Sequence, residues 1–139
     1  MSTATAIQIA TTFVWLGMVL AISFLEAPLK FRAPNVTLQI GLGIGRMVFR
    51  ALNSVETVFA VTIVVAAAAG RPSAAVTAAF AVAVTALVVQ LVAVRPRLNR
   101  RSDEVLAGRE GPRSRGHYVY VALELTKVIA LVVAGVLLL

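Results

Sequence analysis

Glu56, Glu124 and Lys127 each interrupt a stretch of side chains that is otherwise hydrocarbon. In a bilayer such groups are costly, and where they persist they relay protons, bind ions or pair with one another. His117, Tyr120, Glu124 and Lys127 recur at spacings of three, four and three, which places them on one face of a helix. The same stripe continues through Leu131, Ala134 and Leu138, as a bundle-facing side would. A second apolar stretch offers Asn53 and Glu56, with Ala60, Ile63 and Ala67 continuing the Glu56 side. A third offers Gln90, at the end of a stripe of Ala79, Ala83 and Ala86.

Two chemistries fit these residues. Carboxylates inside a membrane can form a route for an ion, a proton or a polar headgroup, with the lysine holding an anion or a counter-charge. The same residues can also be purely structural, with Glu124 and Lys127 neutralising each other across one turn. Glu56 would then accept hydrogen bonds from Asn53 or Gln90. Two acids against one lysine leave a surplus acid that the structural reading explains less well.

The surrounding composition requires a membrane. Hydrophobic residues make up 60% of the 139 positions and charged residues 14%, against roughly 45–50% and 25% in soluble domains. Spans of about 20 residues are expected at about 4–25, 48–69, 73–94 and 118–139, within one domain covering 1–139. The segment MSTATAIQIATTF lacks a basic leader and reads as part of a retained first helix. Gly70-Arg71-Pro72 is a helix stop with a tight turn.

Orientation follows from charge. The net charge is +7, and eleven of the thirteen basic residues fall between Lys30 and Arg50 or between Arg95 and Arg115. That is the pattern of loops facing the cytoplasm and anionic lipid headgroups, with Arg46, Arg50, Arg95, Arg97 and His117 at the interface, rather than of nucleic-acid binding. The expected topology is multi-pass in the inner or plasma membrane, with both termini outside the cytoplasm. In the first basic loop Asn35 can cap a helix, and Val36, Ile40, Ile44 and Val48 recur every fourth residue. The second span is therefore expected to extend into the cytoplasmic interface, or to follow a short surface-lying helix. The loop from Pro96 to Gly116, with Gly108, Gly111 and Pro112, reads as charged and flexible.

Depth brings the polar residues together. Glu56 lies about 9 Å beyond Arg50 and Glu124 about 9 Å beyond Tyr118 at 1.5 Å per residue, so both carboxylates share a layer. Gln90 and Glu26 approach that layer from the opposite chain direction, and Lys127 lies one turn deeper. Spans one and two, and three and four, form pairs in the same orientation. Aligning Glu56 with Glu124 leaves almost no further identity, so duplication is not established by sequence.

Other signals are weaker. The glycines of Gly41-Leu42-Gly43-Ile44-Gly45-Arg46 follow no strand and lack dinucleotide spacing; Gly41 and Gly45 are better read as a close-packing face. Trp15 reads as packing, and Tyr118 and Tyr120 suit the headgroup belt. There is no cysteine, which removes disulfides and thiolate chemistry, and His117 is the only histidine, too few for a usual zinc site or a bis-histidine haem. No cofactor is expected. No complete catalytic set is present, which argues against an enzyme.

The segments FLEAPLKFRAP, VRPRLNR and RGHYVYVALE, set among four spans, are similar to a group of small four-helix membrane proteins. That group is loosely related to copper-resistance D-type domains and to eukaryotic membrane proteins implicated in cisplatin resistance. Metal handling there would imply His, Cys or Met ligands; Met18 and Met47 are the methionines here besides the first residue, and no metal site carries over. The resulting expectation is an all-α four-helix transmembrane bundle that forms a homo-oligomer. It would transport or admit an ion or small polar solute past Asn53, Glu56, Gln90, Tyr120, Glu124 and Lys127. The alternative is a non-catalytic scaffold whose basic loops bind a partner or anionic lipid.

Overall fold

The computed structural model describes residues 1–108 and 115–139 and is all-helical among them. Four helices among these residues are long and apolar enough to cross a membrane. They are α1, Thr3–Lys30; α2, Leu38–Gly70; α3, Ala74–Leu106; and α4, whose helical residues run Arg115–Leu138. The chain runs up and down, so both termini and Arg71 share one end, and Lys30, Arg46, Arg95 and Arg101 lie towards the other. α1 packs on α2 and α4, and α3 packs most extensively on α4.

Each helix boundary has a local cause. Ser2, Thr37 and Ser73 cap α1, α2 and α3, their side chains accepting from the backbone N–H of Thr5, Ile40 and Val76. Thr37 thus takes the capping role expected of Asn35. Asn35 instead adopts φ 67° in the preceding turn, a left-handed conformation that its short polar side chain tolerates. α2 is one continuous helix of 33 residues, so its extension beyond the span is helical rather than a separate surface segment. Arg71 ends it in a left-handed conformation at φ 44°.

The two odd-numbered helices share an irregularity. α1 widens into π-helical turns at Leu20–Glu26 and α3 at Gln90–Val94, where Ala27 N–H reaches Ile22 O and Arg95 N–H reaches Gln90 O. Pro28 and Pro96 follow directly. A proline lacks the N–H and crowds the carbonyl four residues back; a wider turn before it relieves both problems without ending the helix. That accommodation is why α3 runs on through Arg95–Leu106, where the sequence suggested flexible loop from Pro96. Ser102 and Val105 are buried there, and Asp103 forms an ion pair with Arg46 of α2. Arg109, Gly111, Pro112 and Arg113, also assigned to that loop, lie outside the described residues.

Burial is reversed relative to a soluble protein. Val58, Val61, Val65, Val92, Ile129 and Val136 are exposed, whereas Gln8, Thr12, Asn53, Glu56, Gln90, Glu124 and Lys127 are buried. This is the pattern expected of helices able to span a membrane, where lipid would solvate an outer apolar girdle and polar groups must find partners inside. Small residues permit the close approach: Ala60, Ala79, Ala83, Ala130 and Ala134 lie in the core. At Gly70 an added Cβ would lie 2.7 Å from Gln8 Nε2, and at Gly135 it would lie 2.7 Å from Phe13. The Gly41/Gly45 face is likewise filled from within the chain. The Phe31 ring covers Gly41, and a Cβ at Gly45 would lie 3.1 Å from Lys30 Nζ.

Candidate functional site

All four helices contribute to one buried cluster centred on Lys127. Its ammonium has three donors and meets three acceptors: Glu56 Oε2 at 2.5 Å, Glu124 Oε1 at 2.6 Å and Gln90 Oε1 at 2.8 Å. Gln90 Nε2 donates to Glu124 Oε1 at 2.7 Å, so its amide bridges cation and anion in the one orientation that serves both. Ser23 Oγ donates to Glu124 Oε2 at 2.5 Å, and Trp15 Nε1 donates to Glu56 Oε2 at 2.8 Å. Glu56 and Lys127 are 0% exposed and Glu124 is 1% exposed.

The two acids are not equivalent. Both oxygens of Glu124 are engaged, whereas Glu56 Oε1 is buried and finds no protein partner. With both acids ionised the cluster would hold one more negative than positive charge. An interior with few dipoles tolerates such an excess poorly. Glu56 is therefore the less satisfied arm of the network.

Backbone irregularity positions two of these side chains. Ser23 lies within the π-helical turns of α1 and Gln90 opens those of α3, and both reach Glu124. Trp15 lies on the buried stripe of α1 with Gln8, Thr12 and Val19. Towards the termini the apolar side chains of Ala60, Ile63, Leu131 and Ala134 pack beyond the cluster, together with the buried Thr12. Further towards the termini Gln8 Nε2 donates to Ala66 O at 3.2 Å.

Towards the basic end the cluster forms the floor of a vestibule of about 530 Å³. Ser23 and Glu124 lie at its base; Phe24, Phe31, Leu42, Phe49, Leu98 and Val121 form apolar walls; and Lys30, Arg46, Arg95, Arg101 and His117 supply basic groups. Tyr120 OH accepts from Arg95 Nη2 at 2.8 Å, and the Tyr120 ring meets Phe49 edge-on with centroids 5.8 Å apart.

The structure thus brings Glu56, Glu124, Lys127 and Gln90 into direct contact and places Tyr120 on the vestibule wall. Asn53 is buried, but it lines a separate groove with Arg50, Thr57 and Asn99, and its Oδ1 has no partner. Trp15 and Lys127, rather than Asn53 or Gln90, are the partners of Glu56. Glu26 stays out of the cluster and lies 3.7 Å from Lys30. Arg97 is exposed. Trp15 and Ser23 are the site residues that sequence reading missed. Their signal was the run Gln8, Thr12, Trp15, Val19, Ser23 at helical spacing, polar at three of five places.

Among the described residues no three His, Cys, Asp or Glu side chains converge to hold a metal ion. Comparison with family models, curated proteins and solved structures returns no match. The class is therefore defined by the fold alone, an all-helical bundle with four helices able to span a membrane.

Proposed function

We propose that this chain is a small integral membrane protein that transports or admits a small charged solute, with the Lys127-centred cluster as the layer the solute must open. One observation carries this reading. The vestibule reaches Glu124 at its floor, so the buried ions are continuous with a cavity on one side, while on the other they are followed by closely packed core residues. A purely structural ion pair needs no such access. A solute arriving from the vestibule would compete with the existing pairings: an anion for Lys127, a cation for the carboxylates.

The basic end would face the cytoplasm by its excess of Arg and Lys, placing the protein in the inner or plasma membrane with both termini outside. Four helices make a thin wall, which suits a homo-oligomer. The test is flux of radiolabelled or fluorescent small ions into proteoliposomes. Glu56→Gln keeps shape and hydrogen-bonding capacity but removes the charge. Flux should collapse in this variant while helical content and particle size persist. Normal flux in Glu56→Gln would exclude Glu56 from the route, and no flux of any tested ion in wild type would favour the scaffold alternative.

A further inference from the structure

The Phe49 ring carries two cations. Lys30 Nζ lies 5.8 Å and Arg95 Cζ 5.3 Å from its centre, and Arg95 also lies 4.7 Å from the centre of Tyr120. Aromatic faces hold cations in place without neutralising them. Among the described residues, protein counter-charges near this pair are few. Glu26 forms an ion pair with Lys30 Nζ at 3.7 Å, longer than a hydrogen bond. Arg46 engages Asp103, and Glu124 is already taken by Lys127, Gln90 and Ser23. Arg95 Nε is buried and has no acceptor. Lys30, Arg95 and Phe49 all line the vestibule, whose volume of about 530 Å³ falls in the range of small-molecule sites.

We propose that the vestibule binds an organic anion, with a phosphate or carboxylate head between Lys30 and Arg95 and an apolar body against the hydrocarbon walls. The Arg95 guanidinium is held between the two rings and by its bond to Tyr120 OH, and the N–H groups it does not use there form a fork that suits the paired oxygens of such a head. Lys30 adds a second positive charge beside Phe49. A cation would meet two like charges before reaching Glu124, so the vestibule selects against it. The head could belong to a free amphiphilic anion or to an anionic lipid whose first methylenes enter the vestibule. The inference rests on the vestibule as the loading site of the proposed transport cycle, but binding and flux are separable measurements.

The experiment uses the full chain in phosphatidylcholine nanodiscs and measures binding of octyl phosphate by equilibrium dialysis, with empty nanodiscs subtracted. Octyltrimethylammonium and inorganic phosphate serve as comparison ligands. Octyl phosphate should saturate, inorganic phosphate should bind more weakly, and octyltrimethylammonium should not bind. Arg95→Gln and Lys30→Gln should each weaken octyl phosphate roughly tenfold, the loss of one charge-assisted contact. Arg95→Lys should restore part of the affinity, and Arg71→Gln at the opposite end should change nothing.

A lipid source is tested with nanodiscs containing phosphatidylglycerol. If that lipid is retained in native mass spectrometry, displaces octyl phosphate and is lost in Arg95→Gln, the head belongs to a lipid; if it does not compete, the ligand is a free anion. Binding in wild type without any flux would end the transport reading and leave the anion site standing. Equal binding of octyl phosphate and octyltrimethylammonium would overturn the anion site. So would octyl phosphate affinity unchanged in both glutamine variants.

Discussion

Replacing Lys127 with methionine removes the ammonium while keeping an unbranched side chain of similar length. It leaves Glu56 and Glu124 facing each other without their shared cation. Lys127 Nζ lies 2.5 Å from one carboxylate and 2.6 Å from the other, so the two acids would remain within about two bond lengths. Two unit charges about 5 Å apart repel by about 3 kcal/mol at an effective dielectric of 20. Removing one member of a buried ionic network costs about 3–5 kcal/mol in general. The expected loss for Lys127→Met is therefore about 3–5 kcal/mol, a large share of a typical folding stability.

The assay is reversible unfolding in mixed micelles, followed through Trp15. This is the only tryptophan, and it donates directly to Glu56. Adding Glu56→Gln to the Lys127→Met background removes the unopposed repulsion and should recover about 1–3 kcal/mol, a coupling readable from a double-mutant cycle. Stability of Lys127→Met within about 0.5 kcal/mol of wild type, the range of an ordinary surface change, would refute the shared-cation argument. Strict additivity of the two substitutions would refute it equally.

Two further outcomes test packing and orientation. Gly41→Ile must displace the Phe31 ring, whereas nothing lies within 4 Å of a Cβ at Gly43. Thermal unfolding should show a loss of about 1–3 kcal/mol for the first and little for Gly43→Ile, with the crosslinked species unchanged in both; loss of an oligomer in Gly41→Ile would instead make that face an interface between copies. A reporter fused after Leu139 should be active only outside the cytoplasm and one inserted near Gly108 only inside, and the reverse pair would place the vestibule on the other side of the membrane.

The spans and the meeting of Glu56, Gln90, Glu124 and Lys127 were legible because both depend on helical geometry. Long apolar runs fix where a helix crosses, and a constant rise per residue fixes which polar groups share a depth. The contributions of Trp15 and Ser23 were harder to read. An indole in an apolar helix is usually packing, and its single N–H becomes informative only once a carboxylate is found opposite. Ser23 reaches Glu124 from π-helical turns, where the ordinary rise and rotation no longer apply. Pro96 misled for the same reason. A proline ordinarily stops a helix, but the widened turn before this one lets the helix continue to Leu106. Asn53 failed differently: it shares a helix face with Glu56, yet neighbouring packing leaves it on a separate groove.

Those widened turns also bear on the relation between the two halves of the chain. Pro96 follows Pro28 by 68 residues, and Glu124 follows Glu56 by the same interval. Each proline is preceded by π-helical turns. In each half the odd-numbered helix donates a side-chain hydrogen bond to the acid of the even-numbered one, Trp15 to Glu56 and Gln90 to Glu124. The donors themselves do not match at that interval, since Trp15 corresponds to Ala83 and Gln90 to Ile22. The correspondence also breaks at the cation, because Phe59 stands where the second half has Lys127. Two acids that are unequally satisfied thus share one ammonium supplied by one half. Under the proposed transport reading, such a cation would strengthen its hold on one acid as a solute draws the other away. Lys127, rather than either acid, is accordingly where the cluster's balance is set.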